Sequence, residues 1–121
     1  MSTDSLFEKY GGFAAVYPIV NAFYEGVLDS DVISYMFDDV NMENLIKHQT
    51  VFISQAMGGP GTYDDRKLVA AHQKLNIQEE EWNEVVTILV QTLEDFSVEP
   101  ADIDALVGVI ASKKPLIVSS T

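Results

Sequence analysis

His48 and His72 are the only histidines in the chain, and cysteine is absent. Transition-metal chemistry with a borderline or soft ligand must therefore use one or both of these side chains, and imidazole suits iron as it suits copper and zinc. His72 stands in Arg66-Lys67-Leu68-Val69-Ala70-Ala71-His72-Gln73, with Leu68 one turn before it and Leu75 and Ile77 after it. The small Ala70 and Ala71 would let a flat cofactor approach closely. By spacing alone, however, a single histidine near a helix end is more often a surface or capping residue than a ligand. His48 and Gln49 are neighbours on another helix, so they point about 100° apart. Gln49 falls on the apolar stripe, with Leu45 one turn before it and Phe52-Ile53 one turn after. A buried amide must find a partner or cost stability. Tyr24, also on an apolar face, has a hydroxyl with the same need. Two hydrogen-bonding groups in an otherwise apolar pocket suit a small polar ligand such as a diatomic gas; their bland alternative is a pair of satisfied core residues.

The elements that must position these residues are helical. Ser5 to Tyr10 makes one turn before the Gly11-Gly12 break. From Phe13 to Leu28 the residues Val16, Val20, Phe23, Tyr24, Val27 and Leu28 recur with a helical period, and Pro18 lies near the start. Asp29-Ser30-Asp31 closes this helix and caps a short one over Val32 to Met36, which Phe37 ends. Asn41 is the expected N-cap of the helix whose face carries Met42, Leu45, Ile46, Gln49, Phe52, Ile53 and Ala56. The loop Gly58 to Tyr63 follows, and Asp64-Asp65 opens the short helix of Leu68 and His72. Gln78 to Phe96 is strongly amphipathic, with Trp82, Val85, Val86, Leu89, Leu93 and Phe96 on one stripe. Its glutamates at positions 79–81 suit the positive end of the helix dipole, and Glu79 to Glu84 reads as a solvated face. Pro100 opens the last helix, with Ile103, Leu106, Val107 and Ile110 inward, and Pro115 ends or kinks it. No segment alternates with a period of two, so the class is all-α, in a single domain over 1–121.

The formal charge of −12 argues against sequence-independent nucleic-acid binding and against adhesion to an anionic membrane. It favours a soluble, self-repelling monomer. Without cysteine there is no disulfide framework, thiolate metal site or c-type haem attachment. The polar N-terminus and the lack of a long apolar run point to the cytoplasm. Gly58-Gly59-Pro60-Gly61 lacks the Lys-Ser/Thr of a phosphate loop, and the acidic pairs lack calcium-loop spacing.

Taken together, the segments resemble group I truncated haemoglobins, small globins folded as a two-over-two helical sandwich around a haem. Leu6 to Gly12 is similar to the shortened first helix and its glycine pair, and Phe23-Tyr24 to the Phe-Tyr pair of the second. Phe37 resembles the phenylalanine that wedges against the haem. Lys47-His48-Gln49 with Phe52 matches the distal helix, Gly58-Gly59-Pro60 with Tyr63 the second glycine motif, and Ala71-His72-Gln73 the proximal histidine segment. The resemblance spans Leu6 to about Val118 and reverses the weighting on His72.

That resemblance implies a b-type haem, held non-covalently, with His72 as proximal iron ligand. It implies that Tyr24 donates its hydroxyl to dioxygen and that Gln49 supports that bond. Leu45 takes the place where many globins carry the distal histidine. Phe52 and Ile53 fall where the family lines an apolar tunnel, and Ile53 is smaller than the phenylalanine often found there. Leu68 and Ile77 belong to the haem contacts. Lys47, Arg66, Lys67 and Tyr63 are the propionate candidates, although Arg66 and Lys67 can instead pair with Asp64 and Asp65. His48 has two roles open to it: a distal iron ligand when no gas is present, or a polar residue near a propionate. No histidine follows His72, so the covalent haem attachment of some relatives has no counterpart. The implied function is reversible dioxygen binding, with nitric oxide dioxygenation if an external reductase supplies electrons. A redox or gas-sensing protein held six-coordinate by His48 is the alternative. A haem-free helical module would leave Tyr24 and Gln49 to pair with each other or with backbone.

Overall fold

The computed structural model describes residues 5–59 and 77–118. The expected loop beyond Gly59, the short helix after it, and with them Tyr63, Arg66, Lys67, Leu68 and His72 lie outside the described residues.

Helix α1 covers Leu6–Tyr10, its first turn capped by the Ser5 hydroxyl, which accepts the Glu8 N–H at 3.2 Å. Gly11 and Gly12 then take φ of 111° and 74°, a left-handed region that side chains with a Cβ avoid. This break turns the chain directly into α2, Phe13–Asp29. A bond from the Phe7 N–H to the Met57 carbonyl, 2.9 Å, ties α1 to the far end of α3.

Helix α2 runs unbroken through Pro18 and buries Val16, Ile19, Val20, Tyr24 and Val27. The expected stripe needs one correction: Leu28 is 45% exposed, because it lies at the edge of an arc centred on Val20 and Val27, while Ile19 occupies that arc. The segment after α2 is a 3₁₀ helix at Ser34–Phe37, not an α-turn over Val32 to Met36. The Ser30 hydroxyl, placed to cap it, instead accepts the Val32 N–H and donates to Glu84.

Helix α3 is Met42–Ala56, with the Asn41 side chain accepting the Asn44 N–H as expected. Thr50 is buried inside it because its hydroxyl bonds back to the Ile46 carbonyl at 2.7 Å, which removes the cost of an unpaired donor. Helix α4, Glu79–Asp95, buries Trp82, Leu89, Thr92 and Leu93. Phe96, placed on this stripe by periodicity, is its C-cap residue and is 41% exposed. Helix α5, Pro100–Ala111, begins at its proline and turns Ile103, Leu106 and Ile110 inward. It stops before Pro115, which opens a separate short helix α6, Lys114–Ile117. Among the described residues there is no strand, only a single parallel bridge between Ile77 and Val118, and no helix is long and apolar enough to cross a membrane.

Helix α2 is the centre of the packing. It lies against α3 on one side and α4 on the other, and α4 carries α5. Gly26 makes the α2–α4 approach possible: a Cβ there would sit 2.9 Å from the Ile88 methyl. The first and last parts of the chain are joined by charge. Asp102 on α5 accepts from the Lys9 ammonium at 2.6 Å and from the Tyr10 hydroxyl at 2.6 Å, and the Tyr10 oxygen accepts the Glu99 N–H at 3.1 Å.

The Lys9 and Tyr10 donors hold the Asp102 carboxyl below the ordinary carboxylate range. A carboxyl whose folded pKa lies below its unfolded value stabilises the fold above the unfolded pKa and loses that contribution as pH falls toward the folded one. We therefore expect Asp102→Asn to lower the urea midpoint at pH 7 and to flatten its decline below about pH 4. An acid limb identical to that of the parent chain would show that this cluster contributes nothing.

Candidate functional site

Helices α2, α3, α4 and the 3₁₀ helix do not close completely on one another. Between them lies a cavity of about 310 Å³. From α2 it receives Val20, Phe23, Tyr24 and Val27, and from the 3₁₀ segment Ile33, Met36 and Phe37. Helix α3 contributes Leu45, Gln49, Phe52 and Ile53. Ile77 and the first half of α4, including Glu81, Trp82 and Val85, form the opposite wall.

The wall is mostly hydrocarbon and aromatic ring. Tyr24 packs edge-on against Phe23, with centroids 4.8 Å apart, and against Phe37 at 6.0 Å. This aromatic triple fixes the ring of a residue that is only 8% exposed. Gln49 reaches the same cavity from α3. Tyr24 and Gln49 are thus brought to one apolar space from separate helices, as their side-chain chemistry required.

The structure separates His48 from its neighbour. Gln49 lines the cavity, whereas His48 is exposed and outside the wall. The cause is the helical turn: a residue one step from the inward stripe points about 100° away from it. Lys47 is also exposed and pairs with Glu43, one turn earlier, at 3.5 Å. Phe37, Leu45, Phe52, Ile53 and Ile77 all line the cavity. Among the described residues no cluster of three His, Asp or Glu side chains is arranged to hold a metal ion.

Sequence reasoning missed part of the wall. Ile33, Met36 and Val40 precede α3 in or beside the 3₁₀ helix, a segment too short for periodicity to mark an inward residue. Glu81 was taken with the solvated glutamates, yet it lines the cavity. The available signal was its place one turn before Val85 on the edge of the apolar stripe. Its carboxylate accepts the Gln78 N–H at 2.8 Å and the hydroxyl of Tyr35. That carboxylate holds the Tyr35 phenol above its usual range.

A cavity of this volume is energetically significant. Its walls forgo contacts that neighbouring side chains would make in a filled core, at a cost that rises with volume. An apolar ligand that fills the space recovers that contact energy, and a few polar groups then orient what it carries.

Fold and cavity together define a small helical protein with a mostly apolar cavity that Tyr24 and Gln49 also line. The chain belongs to the bacterial-like globin family, whose model matches residues 5–118. It is 39% identical over 112 residues to the group 1 truncated haemoglobin of Synechocystis, an alignment covering 89% of this chain and 90% of the relative. Its structure is similar to that of the truncated haemoglobin of Tetrahymena pyriformis in the Fe(III) form, with a TM-score of 0.88 at 27% identity, covering 97% and 100% of the two chains. It is equally close to the 2/2 haemoglobin of Synechococcus, which carries covalently attached haem: TM-score 0.88, 30% identity, 94% and 98% covered. The two-over-two helical sandwich expected from the sequence is therefore the fold. Globins bind haem and, through its iron, diatomic gases. The wall described above, mostly rings and aliphatic side chains with Tyr24 and Gln49 among them, fits such a group.

Proposed function

We propose that this chain holds haem b without a covalent link and binds dioxygen reversibly. The observation that carries this reading is the convergence of Tyr24 and Gln49, from α2 and α3, on one otherwise apolar cavity. His72, the only histidine besides exposed His48, is the proximal ligand in this reading. Haem supplies a ferrous iron able to take up a diatomic gas.

The residues then have separate tasks. The Tyr24 hydroxyl donates a hydrogen bond to the partly negative outer atom of the ligand, and the Gln49 amide supports it. Phe23 and Phe37 fix the tyrosine ring, so little reorganisation is needed when charge develops. Phe52 and Ile53 offer an apolar path on which nitric oxide could reach the same space. With one electron from an external reductase, nitric oxide and dioxygen would combine to nitrate. Arg66, Lys67, Tyr63 and Leu68 remain the cofactor contacts proposed from the sequence. We read the protein as one globin domain and a cytoplasmic monomer; its charge of −12 favours separation of copies at low salt.

A hydrogen bond to a charged or polarised acceptor contributes about 1.5 kcal/mol or more, so Tyr24→Phe should speed dioxygen release at least about tenfold in stopped-flow measurements. An unchanged rate would remove Tyr24 from this role.

The exposed position of His48 supports an open distal site. Dithionite-reduced, gas-free protein should accordingly show a single broad visible band from five-coordinate iron. Sharp, resolved α and β bands would instead establish six-coordinate iron and restore the sensing or redox alternative, with His48 as sixth ligand.

No histidine follows His72, so this chain has no counterpart of the histidine that the family resemblance associates with covalent haem attachment. All haem should extract into acidified organic solvent. Haem migrating with the polypeptide after extraction would contradict the reading.

A further inference from the structure

Glu81 is the one charged side chain in the cavity wall among the described residues. It is not a loose surface group. It is half-buried, and its carboxylate is held from two directions, by the backbone N–H of Gln78 at 2.8 Å and by the hydroxyl of Tyr35. Tyr35 belongs to the 3₁₀ helix, Ser34–Phe37, whose Met36 and Phe37 line the same cavity. A bound cofactor would therefore have a negative charge held beside its space, at the rim where Tyr35 and Gln78 stand. Its neighbours Glu79 and Glu80 are exposed to solvent, where water and salt screen them.

We propose that Glu81 acts as a fixed negative charge on the cofactor cavity and holds the iron toward its ferric state, with Tyr35 and the Gln78 N–H keeping the carboxylate in place. This rests on the haem reading of the cavity. The physical basis is electrostatic: the ferric form carries one more positive charge than the ferrous form, so a nearby carboxylate favours it. Two unit charges about 10 Å apart in an effective dielectric of about 20 interact strongly enough to change a ratio about tenfold. Glu81 touches no reacting atom in this account and is a positioning charge, not a catalytic residue. The exchange involves one electron, which an external donor of suitable potential supplies and the iron accepts.

The test uses the full-length haem-loaded protein. The ferric/ferrous midpoint is measured at pH 7 by dithionite titration with redox mediators. Glu81→Gln removes the charge and keeps one oxygen acceptor, for the Gln78 N–H, while its amide NH2 can donate to the Tyr35 hydroxyl oxygen. It should shift the ferric/ferrous ratio at fixed potential about tenfold toward ferrous, an upward midpoint shift of about 59 mV for one electron. Glu81→Ala should move the midpoint in the same direction, and Glu81→Asp should leave it near that of the parent chain. Glu80→Gln removes an equal charge from the exposed face and should shift the ratio by much less, with its effect fading in 1 M salt while that of Glu81→Gln persists. A merely structural helix-capping role would predict no change with the glutamine. Folded Glu81→Gln or Glu81→Ala protein with an intact Soret band and an unchanged midpoint would overturn the proposal. Failure of the parent chain to take up haem would overturn the cofactor reading beneath it.

Discussion

The contact of α2 with both α3 and α4 is the constraint from which the rest of the structure follows. One helix has to supply core residues to two partners and, along the same surface, the aromatic side of a cavity. Gly26 lets α4 come close, and Ile88 fills the space that any side chain at position 26 would need. On the neighbouring arc, Phe23 and Tyr24 pack edge-on against each other and line the cavity. Close approach at one level and an aromatic wall at another leave room for a cofactor. A helix of uniform leucines would tend to collapse that room or lose a single arrangement.

This arrangement explains why so small a chain invests in its ends. The cavity removes contacts that an ordinary core would make, so stability has to come from elsewhere. Helix α1 is bonded to the end of α3 through Phe7 and Met57, and to α5 through Asp102. The backbone of Ile77, a wall residue, pairs with Val118 near the end of the described chain. Exposed ion pairs contribute little by themselves. Here, however, Asp102 is shared by two donors from α1, and Tyr10 returns a bond to the start of α5. Connection of distant segments matters more in this cluster than the strength of any one contact.

The chemistry of the cavity follows from how few polar groups it admits. In an apolar space a hydroxyl or amide is felt strongly because water does not compete with it. Tyr24 and Gln49 suit a polarised gas ligand for that reason, and Glu81 suits control of the electron balance. The three groups come from three helices, so each can be substituted without removing the supports of the other two.

Helical class, helix order and most of the buried faces were legible in the sequence, because a period of 3.6 and the caps at Ser5 and Asn41 are local properties. The same locality put Tyr24 and Gln49 on inward stripes. Family resemblance, carried by short motifs in a fixed order, added the cofactor and the expected role of His72. What local reasoning did not reach depends on where surfaces end. Leu28 and Phe96 fit the periodic pattern yet stand at the margins of their helices' buried arcs. Met36 and Val40 line the cavity from the 3₁₀ helix and the residues after it, a stretch too short to show a period. Tertiary structure decided that a cavity opens at the level of Glu81 and that Tyr35 meets its carboxylate there. It also decided that the inward stripes of Tyr24 and Gln49 meet across one cavity, because which helices face each other is set by packing and not by either helix itself.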